Sequence, residues 1–106
     1  MTKTIENNKD YETLIGQEKP ILLDFYADWC GPCQSLLPTV EKLAKEYEGK
    51  IEIQKVNVDK NSGLASKFGV RNIPTLFFLK KGKVVDKLNG AVPESVIREK
   101  LEVLLN

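Results

Sequence analysis

At 106 residues the chain suits one domain spanning 1–106, and it is long enough to bury a single core without disulfide staples. Its 42% hydrophobic and 29% charged residues are those of an ordinary soluble globule, and a net charge of +1 supplies no field for nucleic acid or a membrane surface, so neither partner is expected. There is no histidine, which excludes Ser/His/Asp and Cys/His nucleophilic catalysis and removes the commonest metal ligand.

The first eight residues, Met-Thr-Lys-Thr-Ile-Glu-Asn-Asn, carry no apolar leader, and no later window approaches 18 apolar residues, so a cytoplasmic protein is expected. Residues 8–15 predict a weak helix stopped by Gly16. Residues 21–27, Ile-Leu-Leu-Asp-Phe-Tyr-Ala, are almost continuously apolar, the pattern of a central strand covered on both faces. From Pro32 onward, Leu36, Leu37, Val40, Leu43, Ala44 and Tyr47 recur at threes and fours opposite Glu41, Lys42, Lys45 and Glu46, which predicts an amphipathic helix running to Gly49. Pro32 suits its first turn, whereas Pro38 lies inside the pattern and predicts a kink with a freed carbonyl at Gln34.

Residues 51–58 read as a second strand, 62–68 as a short helix closed by Gly69, and 75–79 as a third strand. Residues 80–83, Lys-Lys-Gly-Lys, form a hairpin turn into a strand at 84–88. At the end, Val96, Ile97, Leu101, Leu104 and Leu105 give 93–105 the spacing of a helix capping the sheet. The order predicts an α/β domain, a mixed sheet with helices on both faces, without repeats or linkers.

Both cysteines stand in Trp29-Cys30-Gly31-Pro32-Cys33, between the central strand and the long helix. Residues i and i+3 share a helix face, so the two sulfurs can meet, and the unpaired N–H groups of a helix start favour thiolate over thiol. As a structural staple the pair is poor: closing so short a loop removes about 2 kcal/mol of unfolded-state entropy, against about 4.7 for a loop of about 100 residues. Structural zinc needs four ligands, and two cysteines without histidine could reach that number only between molecules, so no metal is expected. A redox dithiol is the stronger reading.

The same pentapeptide, preceded by Asp24-Phe25-Tyr26-Ala27 and followed by Ile73-Pro74-Thr75, resembles the thioredoxin family over essentially the whole chain. The resemblance implies the thioredoxin fold, a central mixed sheet of about five strands flanked by four helices. It also implies a general reductant of client-protein disulfides, monomeric, recharged by a thioredoxin reductase, and needing no cofactor beyond its own Cys30–Cys33 disulfide. Cys30, nearer the helix start, is then the attacking thiolate, and Cys33, one turn further in, the shielded resolving thiol.

Asp24 interrupts an apolar run, so it either turns to solvent or is buried with a raised pKa. The family match makes it the buried proton acceptor for Cys33, with Lys55 as the lysine that tunes it; the pattern alone makes Lys55 a solvated strand residue. An X-Pro bond is trans by default; the family match instead implies a cis Ile73–Pro74 loop opposite the cysteines, where the Ile73 backbone pairs with an extended client peptide. Trp29, Gly31, Pro32 and Gly90 complete the implied client surface. Gly90 and Gly82 read equally as plain turn residues.

Four positions depart from the family pattern. Gln34 follows Cys33 where a basic residue is common, Tyr26 replaces a frequent tryptophan, and Asn72 and Asn89 stand where small or apolar residues are common. Two rival functions share the fold: a disulfide oxidase or isomerase, and a noncatalytic binding module. Gly31-Pro32 favours the reductant over the oxidant, whose relatives commonly place histidine there, and the intact cysteine pair disfavours the module.

Overall fold

A computed structural model describes residues 4–106. In chain order the elements are β1 (Thr4–Ile5), α1 (Asn8–Ile15), β2 (Ile21–Tyr26), α2 (Gly31–Glu46), β3 (Glu52–Asn57), α3 (Ser62–Lys67), β4 (Thr75–Lys80), β5 (Lys83–Asn89) and α4 (Glu94–Leu104). They build one five-stranded sheet in the order β1-β3-β2-β4-β5. Strands β1, β3 and β2 run parallel, while β4 and β5 are antiparallel additions.

The continuous apolar run of β2 is explained by its central place in the sheet. Leu22 faces Leu36, Val40 and Leu43 of α2 and Ile97 and Leu101 of α4. Leu23 and Phe25 face Tyr11 and Leu14 of α1 and Leu64 of α3. On that second face Phe25, Phe68 and Phe77 bring their ring centroids within 4.9 to 5.4 Å of one another. Because β2 and β3 are parallel they need a crossover, and α2 supplies it. The cysteines at the start of α2 therefore sit at the carboxyl end of a central strand.

Several boundaries differ from the sequence pattern. Helix α2 begins one residue earlier, at Gly31, continues through Pro38 and ends at Glu46, three residues short of Gly49. Gly49 instead takes a left-handed φ of +84° in the following turn, a conformation open to glycine at little cost. Strand β1 carries no periodic signal because two residues are too few to show one, and only its pairing with Lys55 and Val56 of β3 makes it a strand. Helix α4 is held to α2 by Arg98, which reaches Glu46 at 2.6 Å and Glu94 at 2.9 Å. Among the described residues no helix is long and apolar enough to cross a membrane.

The hairpin turn expected at 80–83 is present, with Lys80 pairing with Lys83 across a two-residue loop, so that each flanking strand runs one residue further into it than expected. Both loop residues have positive φ, +54° at Lys81 and +77° at Gly82, as a type I′ turn requires. A lysine resists this conformation whereas asparagine tolerates it. Lys81→Asn is accordingly expected to stabilise the fold by about 0.5 to 1 kcal/mol. Chemical denaturation checks this, and an unchanged or lowered midpoint counts against the turn assignment.

Candidate active site

Cys30 is the N-cap residue of α2, in extended backbone conformation, and forms a disulfide with Cys33 across a Cα–Cα distance of 5.2 Å. Its sulfur accepts the Cys33 backbone N–H at 3.2 Å, the bond a serine or aspartate oxygen makes at an ordinary N-cap. Any negative charge on that sulfur after reduction is met by this N–H and by the positive end of the helix dipole. Pro32 lies in the first turn, where no N–H is needed, and a side chain added at Gly31 would meet nothing, so the outer side of the pair is open.

The two cysteines differ little in exposure when oxidised, 5% for Cys30 and 2% for Cys33. The exposed rim belongs to Trp29 at 72%. Its indole N–H donates to the Asp59 carboxylate at 2.7 Å. Asp59 is itself placed by Asn57, whose buried side-chain oxygen accepts the Asp59 and Lys60 N–H groups at 2.9 and 3.3 Å. Sequence reasoning missed Asp59; its local signal is the Asn57-Val58-Asp59 run that ends β3, a recognisable side-chain-capped turn. Trp29, Val58, Val70 and Ile73 line a groove of about 160 Å³ beside the disulfide.

Trp29 is the chain's single tryptophan, so it reports on this contact. In Asp59→Ala the indole loses its anchor, and Trp29 fluorescence is expected to change in intensity and to fall in anisotropy. A spectrum and anisotropy identical to those of the unaltered protein would show that the bond does not fix the ring.

Asp24 is 1% exposed on the sheet face covered by α2 and α4, and its Oδ1 is buried without a hydrogen-bond partner. Burial raises its carboxyl from 3.8 to about 7, with the positive charge of Lys55 pulling the other way. Of the alternatives open in the sequence, burial holds. Lys55 is paired in register with Asp24 on the neighbouring strand. It is not a fully solvated strand lysine: its side chain is mostly covered, with its ammonium 3.8 Å from Glu41 and 5.6 Å from the centre of the Tyr26 ring.

On the opposite side of the disulfide, the Ile73–Pro74 bond is cis and the Ile73 carbonyl oxygen lies 3.9 Å from the Cys30 sulfur. The Pro74 carbonyl accepts the Gly90 N–H at 2.8 Å, and Gly90 takes a φ of +87°, so this position favours glycine on backbone grounds. Thr75, also missed from sequence, donates its hydroxyl to the Asn72 carbonyl and lies 3.2 Å from the Asn89 side-chain oxygen. The two unusual asparagines thus flank one buried threonine that ties the loop to β5. The Gln34 side-chain amide donates to the Ala27 carbonyl at 3.5 Å. The structure therefore gathers Trp29, Cys30, Gly31, Pro32, Cys33, Ile73, Pro74 and Gly90 around one end of the sheet. Asp24 and Lys55 lie in the strands that lead to it.

Residues 2–103 match the family model for thioredoxin. The chain is 46% identical over 96 residues to a thioredoxin of Chlorobaculum thiosulfatiphilum, covering 90% of this chain and 89% of that protein. It is 48% identical over 91 residues to the chloroplastic M-type thioredoxin of Pisum sativum, covering 86% of this chain but only 53% of that longer protein. The X-ray structure of Fasciola hepatica thioredoxin superposes with a TM-score of 0.90 at 40% identity, over 96% of this chain and 98% of that one. A neighbouring cysteine pair within this fold and at this similarity is a protein-disulfide reductase centre, working with a reductase and with disulfide-bearing clients. By its sequence, its sheet and the disulfide at the head of α2, this chain belongs to the thioredoxin family.

Proposed function

We propose that Cys30 is the attacking thiolate of this dithiol reductase and Cys33 the resolving thiol. The observation that carries this division is the Cys33 N–H directed at the Cys30 sulfur at 3.2 Å, a charge-stabilising bond given to one cysteine. In the first step the Cys30 thiolate bonds to one sulfur of the client disulfide, and the client's other sulfur leaves as thiolate. Cys33 then gives its proton to Asp24 and attacks the Cys30 sulfur. The client's second sulfur is expelled and takes up a proton, and two electrons have passed from the Cys30–Cys33 pair to the client.

Lys55 tunes the proton affinity of Asp24 through its charge. An extended client segment lies across the Ile73 and Gly90 backbone, with Trp29, Gly31 and Pro32 as its apolar floor. The carbonyl of Ile73 close to the Cys30 sulfur and the exposed ring of Trp29 support this placement. The disulfide is the only redox group needed, and a thioredoxin reductase returns it to the dithiol. We assign the protein to the cytoplasm, where a dithiol pool is kept reduced. It acts as a monomer, since Lys83 and Lys87 on the edge strand β5 discourage sheet-to-sheet pairing.

Equilibration of the Cys30–Cys33 couple against a reference dithiol tests reductant against oxidant. The expected potential is near the value typical of thioredoxins as a class, about −270 mV. A value near that of protein disulfide isomerase, about −180 mV, would overturn the reductant reading.

A further inference from the structure

We propose that Glu41 is a positioning residue that, together with the Tyr26 ring, holds the Lys55 ammonium off Asp24 and so keeps the Asp24 carboxyl free to take a proton. Residues paired in register on neighbouring strands present their side chains to the same sheet face, which puts Asp24 and Lys55 side by side under α2. A lysine so placed would ordinarily close an ion pair with the buried carboxylate. The ion pair of Lys55 runs instead to Glu41 on α2, at 3.8 Å, and its ammonium lies over the Tyr26 ring, 5.6 Å from the centre. Among the described residues Asp24 forms no ion pair within 4.0 Å, and its Oδ1 has no hydrogen-bond partner.

The surroundings of Asp24 leave Lys55 as the dominant charged neighbour. On β4 it is paired with Leu76, and α4 packs over this face through Ile97, Leu101 and Leu104. From α2 come the apolar Leu36, Val40 and Leu43, the disulfide-bonded Cys33, and Glu41. From its own strand comes Tyr26, and from β3, Lys55. The Lys55 ammonium is thus engaged by Glu41 on α2, while Asp24 is its in-register neighbour on β2. The Glu41 side chain reaches solvent, so its contact with Lys55 avoids the desolvation that a buried Asp24–Lys55 pair would require. A direct pair would hold Asp24 ionised and without appetite for a proton.

The inference deepens the reading of Asp24 as proton acceptor and rests on it for its catalytic meaning. Its test uses the oxidised full chain, in which Cys30 and Cys33 do not titrate, with labelled aspartate, following the Asp24 carboxyl by 13C NMR across pH. Glutamine is a good helix residue at a partly exposed site, so Glu41→Gln is expected to fold. Released from Glu41, Lys55 closes on Asp24, and the midpoint is expected to fall by at least about half a pH unit, a threefold change in proton affinity. In the Lys55→Met background the same Glu41→Gln change is expected to leave the midpoint where it was, because Glu41 acts through Lys55.

An unmoved midpoint in Glu41→Gln overturns the proposal. Equal shifts in both backgrounds also overturn it, since Glu41 would then act as a bare charge. The pH profile of mixed-disulfide resolution separates the two readings. If the midpoint falls and the profile follows, both stand; if the midpoint falls and the profile does not move, Glu41 positions Lys55 as stated and it is the role of Asp24 as acceptor that fails.

Discussion

Cys30→Ser is expected to lose disulfide-reductase turnover to the uncatalysed background, a drop of at least about 10³-fold, whereas Cys33→Ser keeps the first attack and accumulates mixed disulfides with clients. A serine hydroxyl in place of Cys30 is not ionised at neutral pH, so the helix dipole and the 3.2 Å N–H of Cys33 have no thiolate to stabilise. The remaining Cys33 is 2% exposed within the first turn of α2 and packs with Ala27 and Ile73, and its proposed role as resolving thiol predicts that it does not open a client disulfide by itself. In Cys33→Ser the attacking sulfur is intact but nothing displaces the client from it. Non-reducing gels of the variants incubated with a disulfide-bonded protein, together with thiol release, measure both effects. Mixed disulfides formed by Cys30→Ser through Cys33 would reverse the assigned roles. Clients and activity unchanged in both variants would favour the binding-module reading.

Asp24→Asn is expected to slow mixed-disulfide resolution near pH 7 by about 10²-fold, the scale of a lost general base, while stabilising the folded protein increasingly as pH rises. The folded carboxyl holds its proton up to about pH 7, and the unfolded one releases it near 3.8. Between those values the native state binds more protons than the unfolded state, so the stability of the unaltered protein falls with rising pH. Asparagine carries no such charge. The stability difference between Asp24→Asn and the unaltered protein should therefore grow by on the order of 4 kcal/mol between about pH 3.5 and pH 8, most of it before pH 7. Denaturant unfolding across that range measures it. A difference independent of pH would mean that the carboxyl is not desolvated, and an unslowed resolution step would remove Asp24 from the proton transfer.

Most of the architecture was legible because burial imposes period. Strand β2 reads as apolar throughout because it is covered on both faces, and α2 reads at threes and fours because only one stripe meets the sheet. What escaped has no period: the two-residue β1 and the end of α2 before Gly49. At the site, the cysteine pair is legible from its spacing and the cis Ile73–Pro74 loop only through the family resemblance, while Asp59 and Thr75 leave no signal that reads as a site. Each of those two acts through one bond to a residue distant in sequence or to a loop backbone, and such bonds leave no trace in composition.

The redox pair, its place between a central strand and a helix, and the lack of any histidine to serve as base or ligand are readable in the amino acids alone. These are properties of residue type and of spacing within one element, where chain geometry is already known. The state of Asp24 follows from packing, because whether a carboxylate in an apolar strand is solvated depends on which elements cover that face. Packing likewise sets the Lys55 charge against Glu41 and Tyr26. Electrostatic partners are chosen by distances across β2, β3 and α2, and those distances exist only once the three have packed.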